Sequence, residues 1–143
     1  MAKPYKVNGI VRFSGRVICS LIRLGIMPKR LYALTIRGRK SGKLFSTPVT
    51  LMFNGGKRYL VSPYGDVNWV KNARQAGEVM VEQGSKKETL KIREVSAHDA
   101  APILKQYLQN VTIVRAYFEV DKDAPVEAFE PTASAHPVFE LIP

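Results

Sequence analysis

The stretch from Leu34 to Leu51 reads LTIRGRKSGKLFSTPVTL and predicts a β-hairpin with a strongly basic turn. Both ends are rich in β-branched and apolar residues, which is typical of strands, and Gly38 and Gly42 interrupt the polar centre. The centre carries four cations and no acid: Arg37, Arg39, Lys40 and Lys43. Cations this close repel one another unless an anion lies among them. Because Ser41 can donate a hydrogen bond and the glycines allow close backbone approach, the turn is a candidate phosphate site.

The basic turn is also compatible with a solvated surface loop that binds no ligand, and this alternative stays open. A nucleotide-triphosphate loop is excluded, because GRKSGKL is one residue too short and Leu44 stands where a hydroxyl should bind magnesium. A phosphate site of a different kind and a solvated turn are therefore the two possibilities that the sequence leaves.

The charge of the chain is uneven along its length. Residues 1–65 contain thirteen Lys and Arg and no acid, whereas residues 66–143 contain nine against twelve acids, which gives the net charge of +10. Such asymmetry indicates an anionic partner for the N-terminal half: nucleic acid, phospholipid headgroups or a multiply charged cofactor. Nucleic acid is the least favoured, because Phe45 is the only aromatic residue near the basic turn and single strands bind by stacking.

Length and composition predict one domain over residues 1–143, with a helix and its connector in residues 1–30. Cys19 is the only cysteine, so no internal disulfide can form, which suits a cytoplasmic location. His98 and His136 are far apart and no cluster of metal-ligating residues accompanies them, so no metal is predicted.

Residues 7–25 predict an amphipathic helix. Its apolar side would contain Val7, Ile10, Val11, Ile18, Leu21 and Ile22, and the opposite stripe Arg12, Arg16 and Arg23. The helix either packs on its own domain or lies on an anionic membrane, such as the inner face of the plasma membrane. The apolar run is too short to span a bilayer, and neither a transmembrane segment nor a signal peptide is expected.

The rest of the chain predicts mostly antiparallel strands. We expect strands at 31–36, 44–53, 58–62, 78–83, 87–95 and 137–142, a helix capped by Asp66 that ends near Gln75, and a helix from Ser96 to about Gln109. Residues 110–135 look irregular, with a helical turn at 113–118. Pro48 indicates an edge, a bulge or a site where the backbone faces something other than a strand. The order predicts a mainly β, α+β fold in which about six strands curl into a small barrel.

The hairpin LTIRGRKSGKLFSTPV, followed by YLVSPYGDVNWVKNAR, resembles the deazaflavin-dependent oxidoreductases of the nitroreductase type, common in actinobacteria. The likeness extends over most of the chain from Leu31 onward. It implies a split β-barrel that binds the deazaflavin coenzyme F420, whose phosphate and glutamate tail is anionic. FMN is the less favoured cofactor.

The resemblance also implies which residues form the site. Arg39, Lys40 and Ser41 would hold the tail, and Thr47, Pro48 and Val49 would offer their backbone to the deazaflavin ring. Ser62, Tyr64 and Gly65 would lie beside the ring, and Trp69 and Asn72 would close the site. A purely structural role is the alternative for three residues: Trp69 as a core anchor, Asn72 as a helix-to-loop contact and Tyr117 as ordinary packing.

The function that this family implies is hydride transfer to an electron-poor acceptor such as a quinone, an activated alkene or a nitro compound. Ser62 and Tyr117 are the candidates for the catalytic polar contact to that acceptor. Relatives often have basic residues where this chain has Phe45 and Pro63-Tyr64, which weakens the expectation of tail binding. The alternative is a non-catalytic, membrane-associated relative that binds fatty acids or lipids. The oligomeric state is left open.

Overall fold

The computed structural model describes residues 9–143, and the side chains of residues 14–143. The helices are α1 (Gly9–Arg23), α2 (Asn68–Ala76) and α3 (Ala97–Asn110), and the strands are β1 (Leu31–Arg37), β2 (Leu44–Asn54), β3 (Lys57–Val61), β4 (Glu78–Gln83), β5 (Lys86–Glu94) and β6 (Val138–Ile142). All strand pairs are antiparallel, and the order β1-β2-β3-β6-β5-β4 closes into a barrel. The predicted six-stranded barrel with three helices is therefore confirmed.

The segment between α3 and β6 is more regular than its sequence indicates. Two 3-10 helices form there, at Thr112–Tyr117 and Val126–Thr132, and Phe129 in the second is completely buried. The predicted helical turn corresponds to the first of them. The second was not predicted, because a single buried aromatic residue among polar neighbours gives no helical periodicity.

Strand β2 has a free edge next to the basic turn. Over residues 44–50 it pairs only with β1, since its pairing with β3 begins at Leu51. Pro48 lies in this stretch opposite Ala33, so its missing N–H interrupts no hydrogen bonds between β2 and β3. Helix α1 runs beside this edge, and a Cβ on Gly15 would lie 3.7 Å from Cδ of Pro48. Pro48 was predicted to mark an edge, a bulge or a backbone site, and the structure shows an edge.

Three apolar clusters hold the fold together. The first fills the barrel and contains Leu34, Ile36, Leu51, Leu60, Val70, Ala73, Val79, Val81, Leu90, Phe139 and Leu141. The second lies between the barrel and α3 and includes Met52, Leu104, Tyr107, Phe118, Phe129 and Val138. The third, made of Cys19, Ile22 and Ala33, attaches α1 to the outside of β1. Burial raises the pKa of the Cys19 thiol, which keeps it protonated and unreactive.

Two local predictions are wrong. Asp66 does not cap α2: the N-cap residue is Val67, and Asp66 instead accepts a hydrogen bond from Arg74 at 3.1 Å. Arg23 does not belong to an exposed stripe on α1. It turns toward the barrel, where its guanidinium donates to Ser46 at 2.8 Å and to Glu82 at 3.3 Å.

The apolar side of α1 packs against the barrel through Ile18, Cys19 and Ile22. Residues 7 and 8, and the side chains of Ile10, Val11 and Arg12, fall outside the described part of the chain. Membrane contact through residues 7–25 therefore stays a prediction. No helix among residues 9–143 is long and apolar enough to cross a membrane.

Candidate functional site

The basic turn between β1 and β2 is closed by its own hydrogen bonds. Gly38 N–H donates to Lys43 O at 2.6 Å, and Gly42 N–H donates to Gly38 O at 3.0 Å. Gly42 has a φ of 75°, a left-handed conformation that favours glycine. Arg37 donates to Gly42 O at 2.9 Å, so one of the four cations stabilises the turn itself.

A second cation is fixed by helix α2. Oδ1 of Asn72 accepts two hydrogen bonds from Arg39, one from the backbone N–H at 3.1 Å and one from Nη1 at 2.7 Å. Asn72 is buried and Arg39 half-buried, so this contact is shielded from water. The structure thus brings these two predicted site residues together, with Asn72 acting as a helix-to-loop contact that holds the turn.

The remaining cations of the turn point to solvent. Lys40 and Lys43 are exposed, and neither forms an ion pair with any side chain in residues 14–143. Ser41 is also exposed, and its Oγ accepts a weak hydrogen bond from Lys43 N at 3.3 Å. Two unpaired ammonium groups and a hydroxyl on a closed turn fit an anionic ligand such as a phosphate.

Phe45 covers one side of this turn with an apolar ring. A Cβ on Gly38 would lie 2.5 Å from Cε2 of Phe45, so a larger residue at position 38 would require the exposed Phe45 ring to move. Phe45 therefore brings no positive charge to the turn, but its ring packs over Gly38.

The other residues predicted near the ring lie along β2 and in α2. Thr47, Pro48 and Val49 are half-buried on the free edge of β2. Trp69 is half-buried and packs against the barrel cluster, with its ring centroid 6.0 Å from that of Phe139. The core-anchor interpretation of Trp69 therefore describes its main contact.

The turn after β3 gathers a second group of predicted residues. Ser62 is completely buried, and its Oγ donates to Gly65 O at 2.6 Å. The rings of Tyr64 and Tyr117 meet edge to face, with their centroids 4.8 Å apart. Both tyrosines are half-buried. In this conformation Ser62 shapes the turn, and Tyr117 is the more accessible of the two proposed catalytic residues.

Sequence reasoning missed His136, which lies behind this turn. Its ring stacks on Phe118 with centroids 3.8 Å apart, and the backbone of Ser62 and Pro63 lies close to it. Nδ1 is buried without a hydrogen-bond partner in the described part of the chain. Burial lowers the pKa of His136, and the nearby polar backbone of Pro63 and Ser62 opposes that shift only in part. A lone histidine before a strand carries no sequence signal of this environment.

This environment predicts a loss of stability in mild acid. The pKa of His136 in the folded protein lies below its ordinary value of 6.5. Above pH 6.5 neutral His136 therefore makes its full contribution to the free energy of unfolding, and this contribution is lost as the pH falls through the folded pKa. His136→Phe, which keeps the ring stacking, should therefore flatten the fall in unfolding free energy between about pH 7 and pH 5. The measurement is urea unfolding over this range, with exposed His98→Gln as the control. Equal slopes for parent and His136→Phe would contradict a buried neutral imidazole.

A cleft on the described structure was also not predicted. It has a volume of about 520 Å³ and lies between the end of β2 and the end of α3. Its lining consists of Arg30, Thr50, Leu51, Met52, Phe53, Gln106, Gln109, Asn110 and Val111. Gln106 joins the two elements, since its Nε2 donates to Phe53 O and its Oε1 accepts from Asn54, both at 3.1 Å. Thr50 directly follows the predicted ring-binding residue Val49.

The family model for F420H(2)-dependent quinone reductase matches residues 15–131, which include the basic turn, β2 and the turn after β3. The chain belongs to this family. The predictions of a deazaflavin-dependent oxidoreductase family, of an enzyme and of F420 as its cofactor are therefore confirmed.

Solved structures share the fold of this quinone reductase family member at low sequence identity. A protein solved as a domain-swapped dimer has a TM-score of 0.60 and 18% identity, over 92% of this chain and 96% of its own. An F420-H2 dependent reductase has a TM-score of 0.55 and 21% identity, over 80% of this chain and 96% of its own. A nimC/nimA family protein from Clostridium acetobutylicum has a TM-score of 0.53 and 14% identity, over 90% of this chain and 81% of its own. No curated protein matches the chain.

These findings separate the two functions considered from sequence. The family match supports the reductase, and nothing in the matches supports the lipid-binding alternative. In this reductase the unpaired lysines and the exposed Ser41 fit the anionic tail of F420, although Phe45 supplies no charge.

Proposed function

We propose that this protein reduces quinones with a hydride from reduced F420, whose tail binds to the basic turn. The observation that carries this proposal is the pair of exposed, unpaired ammonium groups of Lys40 and Lys43 on a turn that is held in place by Arg39 and Asn72. Bound F420 would supply the hydride. The residues of the chain then need to bind, orient and shield the reactants.

The tail would be held by charge-assisted hydrogen bonds from Lys40 and Lys43 and by the hydroxyl of Ser41. Arg39 would act partly through position, since its two hydrogen bonds to Asn72 fix the turn before the ligand arrives. The ring would lie along Thr47, Pro48 and Val49, where the edge of β2 faces helix α1 and has no strand partner in the described structure. Tyr64 and Tyr117 would border it.

The acceptor would occupy the cleft at the end of β2. Its volume falls within the range of about 300 to 1,000 Å³ that is common for small-molecule sites. The cleft begins at Thr50, one residue after Val49. A ligand in the cleft could therefore approach a deazaflavin ring that lies along the edge of β2. The amides of Gln109 and Asn110 and the guanidinium of Arg30 are donors for the carbonyl oxygens of a quinone. Activated alkenes and nitro compounds carry similar oxygen acceptors and are the alternative substrates.

The proposal is tested first by binding. Titration with oxidised F420, followed by its fluorescence, should saturate, and FMN should bind more weakly because its single phosphate offers less charge to the two lysines. Tight FMN binding together with no detectable F420 binding would overturn the assignment of the basic turn to the F420 tail.

A conservative change in the cleft tests the acceptor site separately. Asn110→Ala removes one donor, so we expect kcat/KM for a quinone to fall about three- to tenfold, equivalent to 0.5–1.5 kcal/mol, while F420 affinity stays unchanged. Asn68→Ala, an equally exposed asparagine at the start of α2, is the matched control. An unchanged kcat/KM in Asn110→Ala would remove this residue from the acceptor site.

A further inference from the structure

Several loops lie next to one another at one end of the barrel. They are the segment 24–30 before β1, the β2–β3 turn at 54–57, the β4–β5 turn at 83–86 and the segment 110–113 after α3. Gly25 packs beside Gly84, and Gln83 Nε2 donates to Leu31 O at 3.0 Å. Arg30, Phe53 and Val111 line the same cleft, which joins the remaining loops to this group. We call this surface the loop end.

The loop end, together with the strand residues that border it, exposes large apolar side chains. Four of the eight large hydrophobic residues that are exposed in residues 14–143 lie here: Leu24 at 72%, Ile26 at 66%, Phe53 at 54% and Ile113 at 80% relative exposure. These values include the three highest among the described hydrophobic residues. Apolar side chains grouped at one end of a protein, rather than scattered singly, indicate an interaction surface.

The same surface carries cations that have no acidic partner. Lys29, Arg30, Lys86 and Lys87 are exposed, and none forms an ion pair with a described side chain. Of the acids near these loops, three are already paired: Glu82 with Arg23, Glu88 with Arg58 and Asp123 with Lys122. Exposed aliphatic and aromatic groups bordered by free cations form the pattern that binds an anionic lipid surface.

We propose that the loop end docks on an anionic lipid bilayer, with Leu24, Ile26, Phe53 and Ile113 in the headgroup boundary and the cations against the headgroups. Docking in this orientation requires no unpacking, because the apolar residues of α1 that hold it to the barrel stay in place. A second copy of the chain fits this surface less well. A two-fold interface would bring its unpaired cations close to those of the partner.

Docking would also explain how a lipid-soluble acceptor reaches the enzyme, a step that rests on the proposed function. The acceptor cleft is lined by Arg30, which belongs to the loop end, and by Phe53, which borders it, so the cleft would lie next to the bilayer. A quinone could then enter the cleft from the membrane without crossing water.

The test is cosedimentation with vesicles of phosphatidylcholine, with and without phosphatidylglycerol, in the absence of F420 and quinone. The parent should bind the anionic vesicles and not the neutral ones. The double variant Leu24→Ser, Ile26→Ser should bind at least about tenfold more weakly, because two inserted side chains are lost. Lys29→Gln with Lys86→Gln should bind about thirtyfold more weakly at low salt.

Leu44→Ser is the matched control, since Leu44 is 58% exposed at the opposite end of β2. It should bind vesicles as the parent does, and all variants should unfold at the same urea concentration. Three results would overturn the proposal: a parent that ignores anionic vesicles at low salt, loss of binding in Leu44→Ser alone, or a dimer in solution that Leu24→Ser, Ile26→Ser abolishes. Turnover of a water-soluble quinone should be the same in the parent and in Leu24→Ser, Ile26→Ser, so failure of docking and failure of the reductase function are distinguishable.

Discussion

Phe139→Ala is expected to lower the free energy of unfolding by about 3 to 5 kcal/mol. Phe139 lies on β6 with 1% of its surface exposed, in the cluster that fills the barrel, and it touches Trp69 of α2. Truncation would leave a cavity where the strands and α2 meet, and the strands of a closed barrel cannot easily collapse into it. Urea unfolding followed by tryptophan fluorescence gives the value directly, since Trp69 is the only tryptophan.

Phe53→Ala is the control for this prediction. Phe53 is the same residue type in a strand of the same barrel, but it is more than half exposed. Its truncation should change the unfolding free energy by no more than about 0.5 kcal/mol. A cost below about 1 kcal/mol for Phe139→Ala would mean that the barrel interior is not packed as described.

The second large effect concerns coenzyme binding. Replacing both Lys40 and Lys43 by alanine should weaken F420 binding by about 3 to 6 kcal/mol, which is two to four decades in the dissociation constant. Both ammonium groups are exposed and unpaired among the described side chains, so the double variant should fold normally. The measurement is a fluorescence titration with F420 at low and at physiological salt. The difference between parent and variant should shrink as salt rises, because exposed charges are screened.

Lys86→Ala with Lys87→Ala makes the same change in net charge at the opposite end of the barrel. Its F420 affinity should stay close to that of the parent, because at that distance the charges are screened by salt. If both double variants lose affinity equally, only the overall charge matters and the basic turn is not the binding site.

The barrel could be predicted because local signals agree with one another. The glycines at 38, 42, 55 and 56 bound strands of β-branched and apolar residues, and each turn returns the chain antiparallel to itself. Pro48 gave a further clue, since proline in a strand implies a missing partner, and β2 lacks one on that side. Closure by β6 could not be read in the same way, because β6 pairs with β3 and β5, which are distant in sequence.

The errors share a different cause. Arg23 falls on the charged side of a helical projection, yet its long side chain reaches Glu82 on β4 and Ser46 on β2, which are placed only by the closed barrel. Asp66 has the residue type of a cap, but it stands one residue before the N-cap Val67 and its carboxylate binds Arg74. In both cases a tertiary ion pair overrides a local preference, and periodicity contains no information about such pairs.

For the candidate site, the sequence indicated which residues to consider but not how they are arranged. The resemblance indicated Arg39 and Asn72 as site residues, and the structure adds that one holds the other through two hydrogen bonds. Ser62 was predicted to contact the acceptor, whereas its hydroxyl donates to Gly65 in a buried turn. The cleft beside Thr50 and the buried His136 depend on contacts between distant segments, so the sequence contained no signal for them.

The most direct test of the proposed function is the oxidation of reduced F420 by a water-soluble quinone in the presence of the purified protein. Quinone-dependent recovery of F420 fluorescence, at a rate proportional to protein concentration and greatly reduced in the Lys40→Ala, Lys43→Ala variant, is the predicted result. No turnover above the protein-free rate, or equal turnover by the parent and that variant at F420 concentrations near the dissociation constant of the parent, would contradict it.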